Sequence, residues 1–188
     1  VVKEKVNPNK VYLLGYSAGG DGVYQLAPRL ADRLAAASMM AGHPNNASPL
    51  SLRNLPFAIH MGGEDGAYDR NKVAKEWGDK LQALQSNDPK GYIHDVHIHP
   101  GMGHWMKLKD SIALPWMTEF NRNPIPSKVV WQQRGHHSSF YWVQVPDSLI
   151  QNEGLIRVEY NTNLNEINIE ENYADEIQLL VNDEMLDL

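Results

Sequence analysis

The sequence predicts an α/β protein in two parts: a parallel sheet covered by helices over residues 1–123, and a small all-β appendage over residues 124–188. Three observations carry this. Across the first 120 residues, short apolar runs alternate with stretches of helical periodicity, as in a parallel sheet whose strands are joined by crossover helices. After Asn121-Arg-Asn-Pro-Ile-Pro126 the helical periodicity stops and only short strand candidates remain. The charge also shifts: residues 151–188 hold ten Asp/Glu against one Arg, whereas residues 1–150 hold thirteen Asp/Glu against sixteen Lys/Arg, the composition change of a domain boundary.

Taken in order, Val11-Tyr-Leu-Leu14 is a continuous apolar run, as expected of a strand buried on both faces. Ala18–Ala27 reads as a helix, and Pro28 suits the start of a short second one at Arg29–Arg33. Ala35–Ala41 is the next apolar run, closed by the loop composition of Gly42-His-Pro-Asn-Asn46, and Pro56–Met61 is the third. Asn71–Gln85 places Val73, Trp77, Leu81 and Leu84 on one helical face. Tyr92–His99 is the fourth strand, and Asp110–Phe120 a last helix with Pro115 near its first turns. In the appendage the strand candidates are Val129–Gln132, Phe140–Val145, Leu155–Tyr160, Glu166–Ile169 and Ile177–Val181.

Composition excludes several chemistries. The chain has no cysteine, which removes disulfides, thiolate catalysis and cysteine-based zinc sites, though it does not fix the compartment. Hydrophobic residues make up 42%, yet no apolar run has the length of a bilayer span, so no membrane partner is expected. The net charge is −6 and no basic stripe interleaves with aromatics, so neither is nucleic acid.

The motif that carries chemistry is Gly15-Tyr-Ser-Ala-Gly19, which fits G-x-S-x-G directly between a strand and a helix. So tight a turn puts strained backbone angles on Ser17 and calls for glycine at the flanking positions. It lifts the hydroxyl clear of the sheet, beside the backbone N–H of Ala18, which can meet an oxyanion. Alone, the motif equally describes a Gly-rich turn whose serine caps a helix. Its partners shift the balance. Phe57–Met61 leads into Gly62-Gly-Glu-Asp65, so an acid follows a strand, and Tyr92–His99 leads into Gly103-His104, so a histidine follows the next. Serine, acid and histidine thus occur in the order this chemistry uses in such folds. Glu64, Asp65 and Asp69 all lie in the acid loop; Asp69 suits a cap for the helix near Asn71, and Glu64 a solvated charge.

With Gly15-Tyr-Ser-Ala-Gly-Gly20, Gly62-Gly-Glu-Asp65 and Gly103-His104 in place, residues 8–120 resemble the α/β-hydrolase family. Within it they are similar to the esterases grouped with dienelactone hydrolases, polyhydroxyalkanoate depolymerases and predicted serine peptidases. The resemblance implies Ser17 as nucleophile, Asp65 as orienting acid and His104 as base, with Ala18 in the oxyanion hole and no metal or organic cofactor. It implies hydrolysis of a small-molecule or polymeric carboxylic ester; a weakly active binding module and a serine peptidase are the alternatives. The short Gly42–Leu55 connection leaves no room for a large cap there, which suits short-acyl or accessible polymeric esters. Tyr16, His43 and Trp105 are candidates to line the substrate cleft.

The resemblance also implies an eight-stranded sheet, of which these four strands are the carboxyl-terminal half. A second oxyanion donor is then expected outside the chain. Val11–Leu14 becomes an open edge without the Lys or Pro that guards natural edges. A homodimer or higher oligomer follows as an expectation, with Val1–Lys5 as another cover for that edge. Eight histidines invite a metal reading. His97 and His99 share a strand face that His94 does not, but no further ligand joins them at zinc-site spacing, and His136-His137 lies in a polar loop.

Overall fold

The computed structural model describes residues 4–135 and 137–188. Val1–Lys3, the first part of the proposed edge cover, and His136 lie outside them. By contact density the chain divides into two units, Val1–Arg122 and Asn123–Leu188. No helix among the described residues is long and apolar enough to cross a membrane.

The first unit is a four-stranded sheet of β1 (Tyr12–Tyr16), β2 (Ala36–Met40), β3 (Phe57–Gly62) and β4 (His94–His99), in spatial order β1-β2-β3-β4 and parallel throughout. The connections carry α1 (Ala18–Leu26) and α2 (Arg70–Asn87), and α3 (Ala113–Thr118) follows the last strand. Every residue of β2 and β3 is buried, while β1 and β4 are mostly half-buried, which ranks the strands as central and outer. Alternation along each strand gives the sheet two faces. Tyr24 of α1 and Trp77 of α2 pack their rings on Phe57, at 5.8 and 6.5 Å between centroids, so both helices cover one face. Met40, one residue out of phase, packs on the other face with Met106 and with Ala113 of α3. Rings buried this way dominate the core; truncating one to Ala typically costs about 3–5 kcal/mol.

Three elements of this unit differ from expectation. Pro28 starts no helix; only a 3-10 turn at Ala31–Arg33 precedes β2. The last helix opens as a 3-10 turn at Lys109–Ile112, so Pro115 sits at the third position of α3, where its missing N–H costs nothing. Asp69 holds the N-cap position of α2 but makes no capping bond; its carboxylate pairs with Lys72 at 2.8 Å instead. At the far end of α2, Asp88 takes both Nε and Nη2 of the buried Arg53, at 2.6 and 3.0 Å, and ties the helix to the loop before β3.

The second unit holds two antiparallel sheets. One is β5 (Lys128–Gln132), β8 (Leu155–Asn161) and β9 (Glu166–Asn172), in the order β5-β8-β9. The other is β6 (Ser139–Phe140), β7 (Val143–Gln144) and β10 (Gln178–Leu179), in the order β10-β7-β6. Phe140–Val145, expected as one strand, is a hairpin: Ser139 pairs with Gln144 and Phe140 with Val143, around Tyr141 in the left-handed region. Trp142 is buried there and donates its indole N–H to Pro126 O at 2.8 Å. Three of the ten acidic residues of 151–188, Glu166, Glu170 and Glu171, lie on exposed β9, a solvated outer strand.

Candidate active site

Ser17 sits between β1 and α1 with φ 57° and ψ −121°, a conformation that costs an L residue about 1–3 kcal/mol. The turn is held on both sides: Ser17 N–H donates to Met40 O at 2.9 Å, and Asp21 N–H to Ser17 O at 3.0 Å. Gly15 is required, since a Cβ there would stand 2.2 Å from Gly19 O. Gly19 is not, because a Cβ on it would meet nothing within 4 Å; the clash runs one way only, which corrects the expectation that both flanks must be glycine.

Ser17 occupies the N-cap position of α1, yet its side chain makes no capping bond. Its Oγ lies 2.9 Å from His104 Nε2, and His104 Nδ1 lies 2.6 Å from Asp65 Oδ2. A carboxylate only accepts, so Nδ1–H donates to Asp65 and Nε2 is left to accept from the serine hydroxyl. The side chain of Asp65 is 2% exposed and that of His104 41%, so the acid is sealed while the imidazole reaches solvent. The two loops meet because Gly62 has no side chain: a Cβ would stand 2.0 Å from Gly103 O. Glu64 N–H further joins them by donating to Met102 O at 2.8 Å.

Of the three acids in the loop, only Asp65 reaches His104. Asp69 faces solvent with Lys72, which holds its carboxyl below the ordinary range, and Glu64 is exposed. Arg70 Nη1 lies 3.8 Å from Asp65 Oδ1 and offers the buried carboxylate a second counter-charge. Ala18 is the first residue of α1, so its N–H is among those a helix cannot satisfy internally.

The candidate lining residues separate. Tyr16 donates its hydroxyl to the backbone carbonyl of His104, and its ring lies 5.6 Å from the imidazole. Burial, then Asp110 and Asp65, push its pKa up, so the phenol remains a donor. Tyr16 thus ties the loop of His104 to the turn at Ser17, a link that no local sequence signal announces. Trp105 is 57% exposed and stands edge-on to Tyr16 at 6.1 Å. His43 is half-buried after β2, with Asn45 N–H donating to its Nδ1 at 2.9 Å.

His97 and His99 do share a face, and His60 joins them there. The rings lie 4.9 to 6.0 Å apart with interplanar angles of 10° to 19°. Stacked rings keep their nitrogens in parallel planes, and among the described residues no group of three or more His, Cys, Asp or Glu is placed to hold a metal. His60 itself was not anticipated.

No family model and no curated protein matches the chain. Solved structures do. A variant of SOBER1 from Arabidopsis thaliana matches at 23% identity and a TM-score of 0.44, over 63% of this chain and 56% of that one. A structure of FAE matches at 20% identity and a TM-score of 0.39, over 58% of this chain and 44% of that one. The chain therefore spans about half the length of these structures. Its fold is mixed α/β: a four-stranded parallel sheet with flanking helices, accompanied by small antiparallel sheets.

Proposed function

We propose that this chain acts as a serine hydrolase on carboxylic esters, with Ser17 as nucleophile, His104 as base and Asp65 as orienting acid. The observation that carries the reading is the continuous hydrogen-bonded line from Ser17 Oγ through His104 to the sealed Asp65, at 2.9 and 2.6 Å. A serine serving only as a helix cap would bond its own helix, and this one does not.

In the proposed cycle His104 Nε2 takes the Ser17 proton as Oγ attacks the ester carbonyl, and Asp65 stabilises the imidazolium. The developing oxyanion is met by the N–H of Ala18. His104 then protonates the leaving alcohol, and water repeats the sequence on the acyl-enzyme. The scheme requires neither metal nor organic cofactor.

Ser17→Ala and His104→Ala should each lower hydrolysis of 4-nitrophenyl acetate by at least about 10⁴-fold, because nucleophile and base act as one unit. A serine-directed phosphonate should label the wild-type chain at Ser17. A Ser17→Ala chain that keeps its turnover with an unchanged circular dichroism spectrum would refute the reading.

A further inference from the structure

The loop from β3 to α2 carries more than Asp65. Tyr68 and Asp69 are consecutive left-handed residues at φ 57° and 55°, neither of them glycine. The chain thus holds a strained turn immediately before Arg70, the first residue of α2. Local helix physics does not ask for an arginine there. A cation in the first turn opposes the helix dipole, and no acidic residue shares that turn. Nor is Arg70 needed to anchor the helix. Asn71 does that, donating its N–H to Asp65 O at 3.1 Å and its side-chain amide to Gly63 O at 2.9 Å.

The guanidinium is turned back toward the site. The Arg70 side chain is 14% exposed, and its Nη1 lies 3.8 Å from Asp65 Oδ1, an ion-pair distance. Its Nε is buried with no hydrogen-bond partner among the described residues. A buried donor left unpaired is unfavourable, so the side chain is not placed to satisfy its own hydrogen bonds. Tyr68 holds it from the other side: the guanidinium lies 4.9 Å over the ring centroid, a cation–π contact. Tyr68 is itself 78% exposed, so a large aromatic stays in solvent, in a strained conformation, while covering Arg70.

Asp65 has a use for this arrangement. Its side chain is sealed, with Oδ2 at 2.6 Å from His104 Nδ1. Among the described residues Oδ1 accepts no hydrogen bond, and Arg70 is its one ion-pair partner. The last torsion of an aspartate is broad, so a carboxylate held by one oxygen turns easily. Turning would carry Oδ2 away from Nδ1 and release the imidazole from the tautomer that accepts from Ser17. Fixing Oδ1 fixes Oδ2 with it.

We infer that Arg70 is a positioning residue which, clamped by Tyr68, holds the Asp65 carboxylate in the orientation that presents Oδ2 to His104. Its consequence for turnover rests on the serine-hydrolase reading above. Arg70 touches no reacting atom and acts only through Asp65. The line from Ser17 through His104 to Asp65 therefore continues outward to Arg70 and ends on the ring of Tyr68.

The test begins with a signal that needs no turnover. His104 Nδ1–H, 2.6 Å from a carboxylate, should give a far-downfield proton resonance in the wild-type chain, identified by its loss in His104→Ala. Arg70→Met keeps the aliphatic stem and removes the charge; the resonance should broaden or move upfield. Arg70→Lys keeps the charge and should retain it. On 4-nitrophenyl acetate Arg70→Met should lower kcat about 10- to 100-fold with KM changed less than about twofold, because the misplacement is felt in the transition state and not in ester binding. In an Asp65→Asn background the same substitution should cost less than about threefold, since the carboxylate it positions is gone. Tyr68→Ala, at an exposed side chain, should lower kcat about two- to fivefold, and Tyr68→Phe, which keeps the ring, should restore it.

An unmoved resonance in Arg70→Met, or an equal loss of kcat in the wild-type and Asp65→Asn backgrounds, overturns the inference. If Arg70→Met does not fold, an unmoved resonance and wild-type kcat in Tyr68→Ala overturn it. A resonance that depends on Arg70 in a chain that hydrolyses no ester would sink the hydrolase reading and leave the role of Arg70 at Asp65 standing. Hydrolysis abolished by Ser17→Ala, with a resonance indifferent to Arg70, would do the reverse.

Discussion

Acidification from pH 7 to pH 4 forces a proton toward His60, which the fold has no means of accommodating. The residue has no exposed surface; its Nδ1 meets His99 Nε2 at 3.3 Å and its Nε2 has no protein partner. Burial first, then His97 and His99, push its pKa from 6.5 down to about 4, with only Asp95 pulling the other way. His99 is pushed down as well, again by burial and then by His97. In the unfolded chain His60 titrates near its ordinary value. Between that value and about 4, the unfolded state therefore binds a proton that the folded state refuses. The associated stability is fully present above pH 6.5 and is lost as the pH falls, by about 2 kcal/mol at pH 5 and about 3 kcal/mol at pH 4. Other groups titrate over the same range, so the comparison is with His60→Leu, which removes the imidazole at nearly constant volume. Urea unfolding followed by circular dichroism at pH 7, 6 and 5 should show a pH 7-to-5 stability loss about 2 kcal/mol smaller in the variant. Parallel losses in the two proteins would refute the buried neutral imidazole.

Asp65→Asn should lower 4-nitrophenyl acetate turnover by about 10⁴-fold, while Asp69→Asn, which breaks only a solvent-exposed pair with Lys72, should change it less than about threefold. The opposite ranking would transfer the role of acid to Asp69. Gly62→Ala drives a Cβ into Gly103 O and should destabilise the first unit by about 1–3 kcal/mol in thermal melts, whereas Gly19→Ala, facing open space, should stay within about 1 kcal/mol of wild type. At micromolar concentration the 188-residue chain should self-associate through β1, an edge of this sheet on which Leu14 is 47% exposed, and Leu14→Lys should shift it toward monomer; light scattering from a stable monomer in both would end that idea.

The strand–turn–helix around Ser17 was legible because a strained elbow needs an apolar run before it and a glycine within it, and both are local signals. The loops of Asp65 and His104 were legible for the same reason, each marked by glycines just beyond a strand. What was not legible depended on pairing across the sheet. His60 lies inside the apolar run Phe57–Met61, and nothing local tells that the register places it against His97. The left-handed pair Tyr68–Asp69 carries neither glycine nor asparagine, and a single Asp was too weak a signal to announce the turn. In the appendage, Phe140-Tyr-Trp-Val143 reads as strand by aromatic propensity, but Trp142 folds back to bond Pro126 and turns the run into a hairpin. That Asp65, and not Glu64 or Asp69, lies within hydrogen-bond reach of His104 is a matter of distance, which spacing alone could not supply.

The bond from Tyr16 to the carbonyl of His104 has a consequence for how the molecule breathes. Tyr16, the residue before Ser17, grips the backbone of His104, 88 positions away in sequence. The two loops therefore cannot open separately: releasing the segment around His104 means withdrawing Tyr16 from beside it and loosening the elbow. The turn at Ser17 and the loop of His104 form a single unit of local unfolding, so their amides should share one opening free energy in hydrogen exchange. Tyr16→Phe would uncouple them, and the amides around His104 would then exchange ahead of those at the start of α1.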